Sequence, residues 1–281
     1  MTTQSPLLPT LAFIGGGQMS RALLGGLAAG PLPRPAMWVS DPGAAQRSEL
    51  AAAFPDVHVA ADNAVVAAAG TVWVLAVKPQ QVAGVARELA PLVARVRPLV
   101  ISVAAGIRTA DLERWLGTGA VVVRAMPNRP ALVGAGVTAL YAGTAVSAER
   151  RALAATLLGA VGSVVWVGSD AQIDAATAVS GSGPAYFLRL IEVLEAAGVE
   201  VGLDPAVAHR LALDTALGTA RLAHGSSSTC AELRASVTSA GGTTAAALAV
   251  LEAADLRAIV GAAVQAAARR AAELADEFGR D

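Results

Sequence analysis

The stretch Leu11-Ala-Phe-Ile-Gly-Gly-Gly-Gln-Met-Ser20 decides the fold. Its apolar start reads as a buried strand, and the residues from Gly17 to Ala29 carry a helical pattern. Between them stands Gly15-x-Gly17-x-x-Ser20. Gly15 permits a tight turn, and Gly17 lets the backbone approach a pyrophosphate seated on the helix N-terminus. Ser20 is small enough for the helix to lie close to the strand. Alone the glycine pattern is weak, because glycine-rich turns without ligands exist. Strand-first and at the start of a βαβ unit, it points to dinucleotide binding.

Working outward, short apolar runs alternate with helical stretches through Gly168. Strands are expected at Thr10–Ile14, Ala36–Ser40, Val57–Val59, Thr71–Val77, Leu99–Val103 and Ala120–Arg124. Helices are expected over 44–54, 63–68, 80–93 and 109–116. The uncharged run TVWVLAV at Thr71–Val77 suits a strand covered on both faces. This βαβα rhythm predicts a doubly wound α/β sheet with helices on both sides. Gly136–Tyr141 and Val164–Val167 read as later edge strands around a helix over Ala148–Leu158. After Gly168 only helical patterns remain, with breaks at Gly198–Pro205, Gly225–Thr229 and Ala240–Thr243. The division expected is a dinucleotide-binding domain over 1–168 and an all-α dimerisation and substrate domain over 169–281. The helices Pro184–Ala196 and Thr244–Ala275 are apolar around much of their circumference, which predicts burial against a second subunit.

Composition narrows the function. Of 281 residues 54% are hydrophobic but only 4% aromatic, so Ala, Val and Leu must build the core. A net charge of −1 offers no footprint for nucleic acid. One cysteine, Cys230, cannot form an internal disulfide, and the three scattered histidines lack zinc spacing, so no metal is expected. The uncharged stretches Pro130–Ala148 and Ala152–Ser169 are interrupted by glycines and are not read as membrane spans. Met1–Pro9 is polar, without the basic start or apolar run of a signal peptide, and a cytoplasmic location is expected.

In a doubly wound sheet, ligands lie beyond the carboxyl ends of the strands. The second strand ends at Ser40-Asp41. Asp41 can accept from a ribose 2′-hydroxyl, which favours NAD, whereas Ser40 with Arg47 can hold a 2′-phosphate, which favours NADP. Both readings stay open, and Asp41-Pro42-Gly43 is also an ordinary turn sequence. Ala76-Val-Lys-Pro-Gln80 places Lys78 where it can face a cofactor or simply solvent. Ser102-Val-Ala-Ala-Gly106 and Arg124-Ala-Met-Pro-Asn128 end two further strands on the same edge, and Asn128 can offer an amide. In the helical half, Gly241-Gly-Thr-Thr244 before a helix presents backbone N–H groups and hydroxyls at a positive dipole end, which suits a carboxylate. A plain threonine N-cap is the simpler reading.

Together these segments resemble pyrroline-5-carboxylate reductase over nearly the whole chain: Phe13–Met19, Ala76–Gln80, Ser102–Gly106, Arg124–Asn128, Ser180–Tyr186, Ala197–Leu203 and Ser239–Thr244. The resemblance implies reduction of 1-pyrroline-5-carboxylate to L-proline, the last step of proline biosynthesis, with NADPH as cofactor and NADH as an alternative. It implies a homodimer through the helical domain, often within a ring of dimers. Residue by residue, it implies cofactor contacts from Gly15, Gly17, Gln18, Met19, Ser40, Asp41, Asn63, Ala76, Val77, Lys78, Pro79, Ala104, Ala105 and Asn128. It implies that Ser239, Gly241, Gly242 and Thr243 hold the substrate carboxylate and that Thr244 hydrogen-bonds the ring nitrogen. A protonated cyclic imine is already an electrophile, so the protein's work is orientation, and the lack of a His/Asp or Ser/His pair is in keeping with that. Two positions depart from the family's pattern: Ala240 stands where it commonly has proline and Arg129 where it commonly has threonine. A dehydrogenase of 3-hydroxy acids would be expected to carry a lysine in its helical domain, and none follows Lys78. A redox sensor that binds dinucleotide without turnover would leave the Gly241–Thr244 loop without a use.

Overall fold

The computed structural model describes residues 9–30 and 35–280. Met1–Leu8, most of the stretch read against a signal peptide, lies outside the described residues. The chain divides into two compact units, one running through Ser182 and resuming at Ala267, the other Gly183–Ala266.

The first unit is built on an eight-stranded sheet in the order β3-β2-β1-β4-β5-β6-β7-β8. Its parallel part is β1 (Leu11–Ile14), β2 (Met37–Ser40), β3 (His58–Ala60), β4 (Val72–Leu75), β5 (Leu99–Ser102) and β6 (Val121–Met126). The helices between these strands are α1 (Gln18–Ala29), α2 (Ala44–Ala53), α3 (Asn63–Ala69), α4 (Pro79–Val96) and α5 (Thr109–Leu116). Strand order reverses at β1, which has β2 on one side and β4 on the other. That is the switch point at which doubly wound sheets open a crevice.

Alternation along the strands sorts the side chains into two cores. Leu11 and Phe13 join Leu23, Leu24, Val39, Val74 and Ile101 on one face. Ala12 and Ile14 join Trp73, Leu75, Val82, Leu89 and Val100 on the other. Each fully buried branched side chain contributes about 1.5–3 kcal/mol. The uncharged strand β4 is buried along its whole length, as its composition predicts.

Two features of the sheet differ from the expected pattern. β7 (Gly136–Ala142) runs antiparallel to β6 and is an interior strand. Of these two strands it is β8 (Gly162–Trp166), parallel to β7 across α6 (Ala148–Gly159), that forms an edge, opposite the edge at β3. The reversal is made by a short 3-10 turn over Arg129–Val133, ended by Gly134 at φ +69°. So tight a link leaves no room for the crossover that a parallel neighbour requires.

The strand signal stops at β8, but the packing does not change there. α7 (Asp170–Ala176) and the π-helical turn Thr177–Gly181 remain with the sheet unit. The reason is electrostatic: Arg124 of β6, 1% exposed, pairs with both Asp170 and Asp174.

The second unit holds α8 (Gly183–Glu200), α9 (Pro205–His224), α10 (Cys230–Ser236), α11 (Thr243–Ala253) and the start of α12 (Leu256–Phe278). α8 continues past Gly198, where a Cβ would meet that of Ala208 at 3.1 Å, so the break falls later than expected. The stretch 244–275 is two helices rather than one. Asp255 sits in the left-handed region at φ +49°, which Asp tolerates, and its Oδ1 accepts from Ala258 N at 3.0 Å to start α12. Among the described residues no helix is long and apolar enough to cross a membrane.

Candidate functional site

The carboxyl ends of β1 to β6 gather the residues singled out for dinucleotide binding. At β1, Gly15 has φ +99°, and a Cβ there would stand 2.8 Å from Ala76 O. Only glycine fits, because the ends of β1 and β4 come too close for a side chain. Ser20 Oγ donates to Gly15 O at 2.5 Å and locks the turn to α1. Gly17, the N-cap of α1, lacks a side-chain cap. A Cβ on Gly17 would meet nothing within 4 Å. The space above the first turn is therefore open, and its N–H groups are free of any capping side chain. An anionic diphosphate fits such a cradle. Gln18 is exposed and Met19 partly so.

At the next strands, Ser40 is fully buried and its Oγ donates to Asn63 Oδ1 at 2.8 Å. With its carbonyl oxygen so engaged, Asn63 presents Nδ2, which donates to Glu88 Oε2 at 3.2 Å. Ser40 thus orients Asn63 and is not itself available to a 2′-phosphate. Asp41 accepts from Gly16 N at 3.1 Å and from Gly43 N at 2.8 Å. Ala76 and Val77 are half-buried, and exposed Lys78 is the N-cap of α4 with Pro79 at its first position. Ala104 is buried and Ala105 half-buried beyond β5.

Asn128 is 8% exposed and both ends of its amide have partners within the chain. Its Oδ1 accepts from Val137 N at 2.9 Å and its Nδ2 donates to Ser180 O at 3.1 Å. The amide clasps β7 and the π-helical turn to the end of β6. Sequence reasoning missed this clasp, the π turn itself and the ion pairs of Arg124. The one available signal was a charged residue, Arg124, inside an otherwise apolar strand.

In the helical unit the loop Ser239–Gly242 turns through Gly241 at φ +70° into α11. Gly242 is the N-cap and no side chain caps the helix. Thr243 and Thr244 fall at its first two positions, so the simpler reading of a threonine N-cap does not hold. Thr243 is exposed and Thr244 half-buried. Unsatisfied N–H groups, a positive dipole end and two hydroxyls suit a carboxylate. By contrast α10 is closed by a capping box, in which Thr229 N–H and hydroxyl bind Glu232 and hold its carboxyl below the usual range. Among the described residues there is no cluster of metal-ligating side chains.

Residues 170–274 match the family described as pyrroline-5-carboxylate reductase dimerisation. Residues 10–106 match NADP oxidoreductase coenzyme F420-dependent. The pyrroline-5-carboxylate reductase of Pseudomonas aeruginosa is 47% identical over 97% of this chain and 99% of its own. The chain belongs to the pyrroline-5-carboxylate reductase family. The family's enzyme from Mycobacterium tuberculosis is 43% identical over 94% of this chain and 96% of its own. A solved pyrroline-5-carboxylate reductase from Coxiella burnetii superposes with TM-score 0.89 at 40% identity, covering 95% of this chain and 98% of that one. The pyrroline carboxylate reductase of Plasmodium falciparum, solved with NADP bound, has TM-score 0.83 at 28% identity and covers 96% of this chain and 100% of that one.

The helical unit carries the apolar surface that a dimerisation family requires. Phe187, Leu190 and Leu194 on α8, Leu211 and Leu217 on α9, and Ile259 on α12 are all exposed in the single chain. Large apolar surface of this kind marks an interface between subunits.

Proposed function

We propose that this chain reduces 1-pyrroline-5-carboxylate to L-proline with hydride from NAD(P)H, as a cytoplasmic homodimer joined through its helical unit, with rings of dimers as a higher assembly. The observation that carries the reading is a pair of anion cradles in one chain of this family. One is the open helix N-terminus at Gly17 and the other the uncapped start of α11 at Gly242. The first suits a pyrophosphate and the second a small carboxylate.

When bound, the dinucleotide would supply a hydride from its nicotinamide to the imine carbon of the ring. The chain's own residues do the positioning. Gly15 and Gly17 shape the pyrophosphate turn, with Gln18 and Met19 beside it. Asn63, fixed by Ser40, and Asp41 face the ribose side. Ala76 to Pro79 and Ala104 to Ala105 form the floor beyond β4 and β5, and Asn128 stiffens the strand end next to them. Ser239, Gly241, Gly242 and Thr243 take the substrate carboxylate, and Thr244 accepts the N–H of the protonated ring nitrogen. The imine carbon gains the hydride, the C=N bond becomes C–N, and nitrogen keeps its proton, so no strong protein acid is needed. Holding both ends of a small substrate supplies the orientation on which such a transfer depends.

The test is absorbance at the nicotinamide band with purified protein and 1-pyrroline-5-carboxylate, NADPH and NADH in turn. Oxidation that depends on the substrate carboxylate is expected. Tight dinucleotide binding with no oxidation would move the chain to a sensor or to another imine.

A further inference from the structure

The loop that follows β5 carries Ala104 and Ala105, which the proposed function gives to the cofactor floor. The sheet holds only the start of this loop. Val103 N donates to Leu75 O at 3.1 Å, so the chain leaves β5 in register with β4. One residue on, Ala104 N reaches Ser102 Oγ at 3.4 Å. The N–H groups of Ala105 and Gly106 have no partner among the described residues.

Support comes from the far end of the chain. Residues from Ala267 onward belong to the same compact unit as the sheet. The last turn of α12 lies against Gly106, which has φ +70°. A Cβ there would stand 3.1 Å from Phe278 Cδ2 and 3.4 Å from the backbone of Leu274. Glycine permits this approach of helix to loop. Half-buried Phe278 also packs on the core cluster that contains Ala104 and Ile107. Polar contacts hold the same turn. Arg108 Nη1 lies 2.7 Å from Asp276 Oδ1. Arg114 Nη2 donates to Gly279 O at 2.6 Å, which puts a cation at the carboxyl end of α12. Contacts from one helical turn thus converge on the segment Gly106–Arg114. The ion pair between Arg108 and Asp276 is solvent-exposed and contributes little. The ring of Phe278 is the contact whose loss opens space beside the loop.

We propose that Phe278 is a positioning residue, which through Gly106 holds Ala104 and Ala105 at the height that hydride transfer requires. It acts on the loop and not on the nucleotide or the substrate. A misplacement of about 1 Å far from the chemistry can cost about 100-fold in rate, so a soft floor would lower turnover without unfolding the chain. The inference rests on the proposed cofactor floor and adds the element that supports it.

Phe278→Ala in the full chain tests it, measured well below the melting temperature of each protein. With 1-pyrroline-5-carboxylate and the faster of NADPH and NADH, kcat is expected to fall by about tenfold. The KM for the imine should change by less than about twofold, because its carboxylate is held by a separate loop, and the Kd for the dinucleotide should rise by about threefold. Phe278→Leu keeps an apolar side chain against Gly106 and should recover most of kcat. A merely structural role would lower the melting temperature and leave kcat per folded molecule and Kd unchanged, and that result overturns the proposal while the reaction stands. Absence of turnover in the wild-type protein would overturn the reaction instead. Dinucleotide affinity then decides, and a Kd unmoved in Phe278→Ala, or no binding to either protein, overturns the proposal as well. Should Phe278→Ala fail to fold, Phe278→Val takes its place with the same expectations.

Discussion

Nη2 of Arg124 donates to Oδ1 of Asp174 at 2.6 Å, joining the last parallel strand to the helix that follows the sheet. Nη1 reaches Asp170 Oδ1 at 2.9 Å, and Asp170 Oδ2 accepts from Thr109 Oγ1 at 2.6 Å. One buried guanidinium therefore holds β6, α7 and the start of α5 in register. Asn128, on the same strand end, then clasps the π turn that leads to α8. Strand β6 thus sets where the helical half of the chain begins.

Arg124→Leu leaves Asp174 buried and Asp170 half-buried without their cation. We expect a loss of about 3–5 kcal/mol of unfolding free energy. Urea denaturation reads this as a lower midpoint at unchanged slope. Converting Asp170 and Asp174 to Asn in the same background should restore part of the loss. A wild-type midpoint in the single variant would show that the cluster is not stabilised by its cation.

Gly15 and Gly17 should separate folding from binding. At Gly15, alanine meets both a positive φ and Ala76 O at 2.8 Å, so Gly15→Ala is expected to lower the melting temperature. At Gly17 an added Cβ meets nothing within 4 Å. Gly17→Val should therefore lower the melting temperature only by the worth of a poorer N-cap, less than Gly15→Ala does, yet lose NAD(P)H binding. Unchanged affinity by fluorescence titration would contradict the pyrophosphate assignment.

Thr244→Ala should lower kcat/KM for the imine by about 10- to 100-fold, the worth of a hydrogen bond to a charged group. NAD(P)H affinity should not move, and Thr244→Ser should recover most of the rate. Steady-state kinetics with both variants decide whether the hydroxyl contributes to turnover.

Phe187 is 70% exposed in the single chain. Phe187→Asp is expected to shift the protein from dimer towards monomer in sedimentation, because a charge in an apolar interface must be desolvated. A dimer of wild-type strength in the variant would place the subunit contact away from this face of α8.

The sequence by itself determined whatever rests on local chemistry. A strand followed by Gly15-x-Gly17 announces its turn because the constraint lies in the backbone of those few residues, and the observed φ of +99° at Gly15 is that constraint. The uncharged β4 and the loss of strand patterns after β8 were readable for the same reason: periodicity reports burial within one element. Tertiary structure alone decided the rest. Ser40 and Asn63 are 23 residues apart, and Arg124 and Asp174 are 50 apart, so neither partnership leaves a trace in spacing. Asp41 reads both as a turn residue and as a ribose acceptor, and the bond from Gly16 N to its carboxylate, across 25 residues, is visible only in the tertiary structure. The reversal of β7 and the break at Asp255 were hidden because apolar patterns specify which face is buried, not the direction in which the chain crosses the core. A side chain's role depends on which of its donors and acceptors remain free, and that is settled only when distant segments meet.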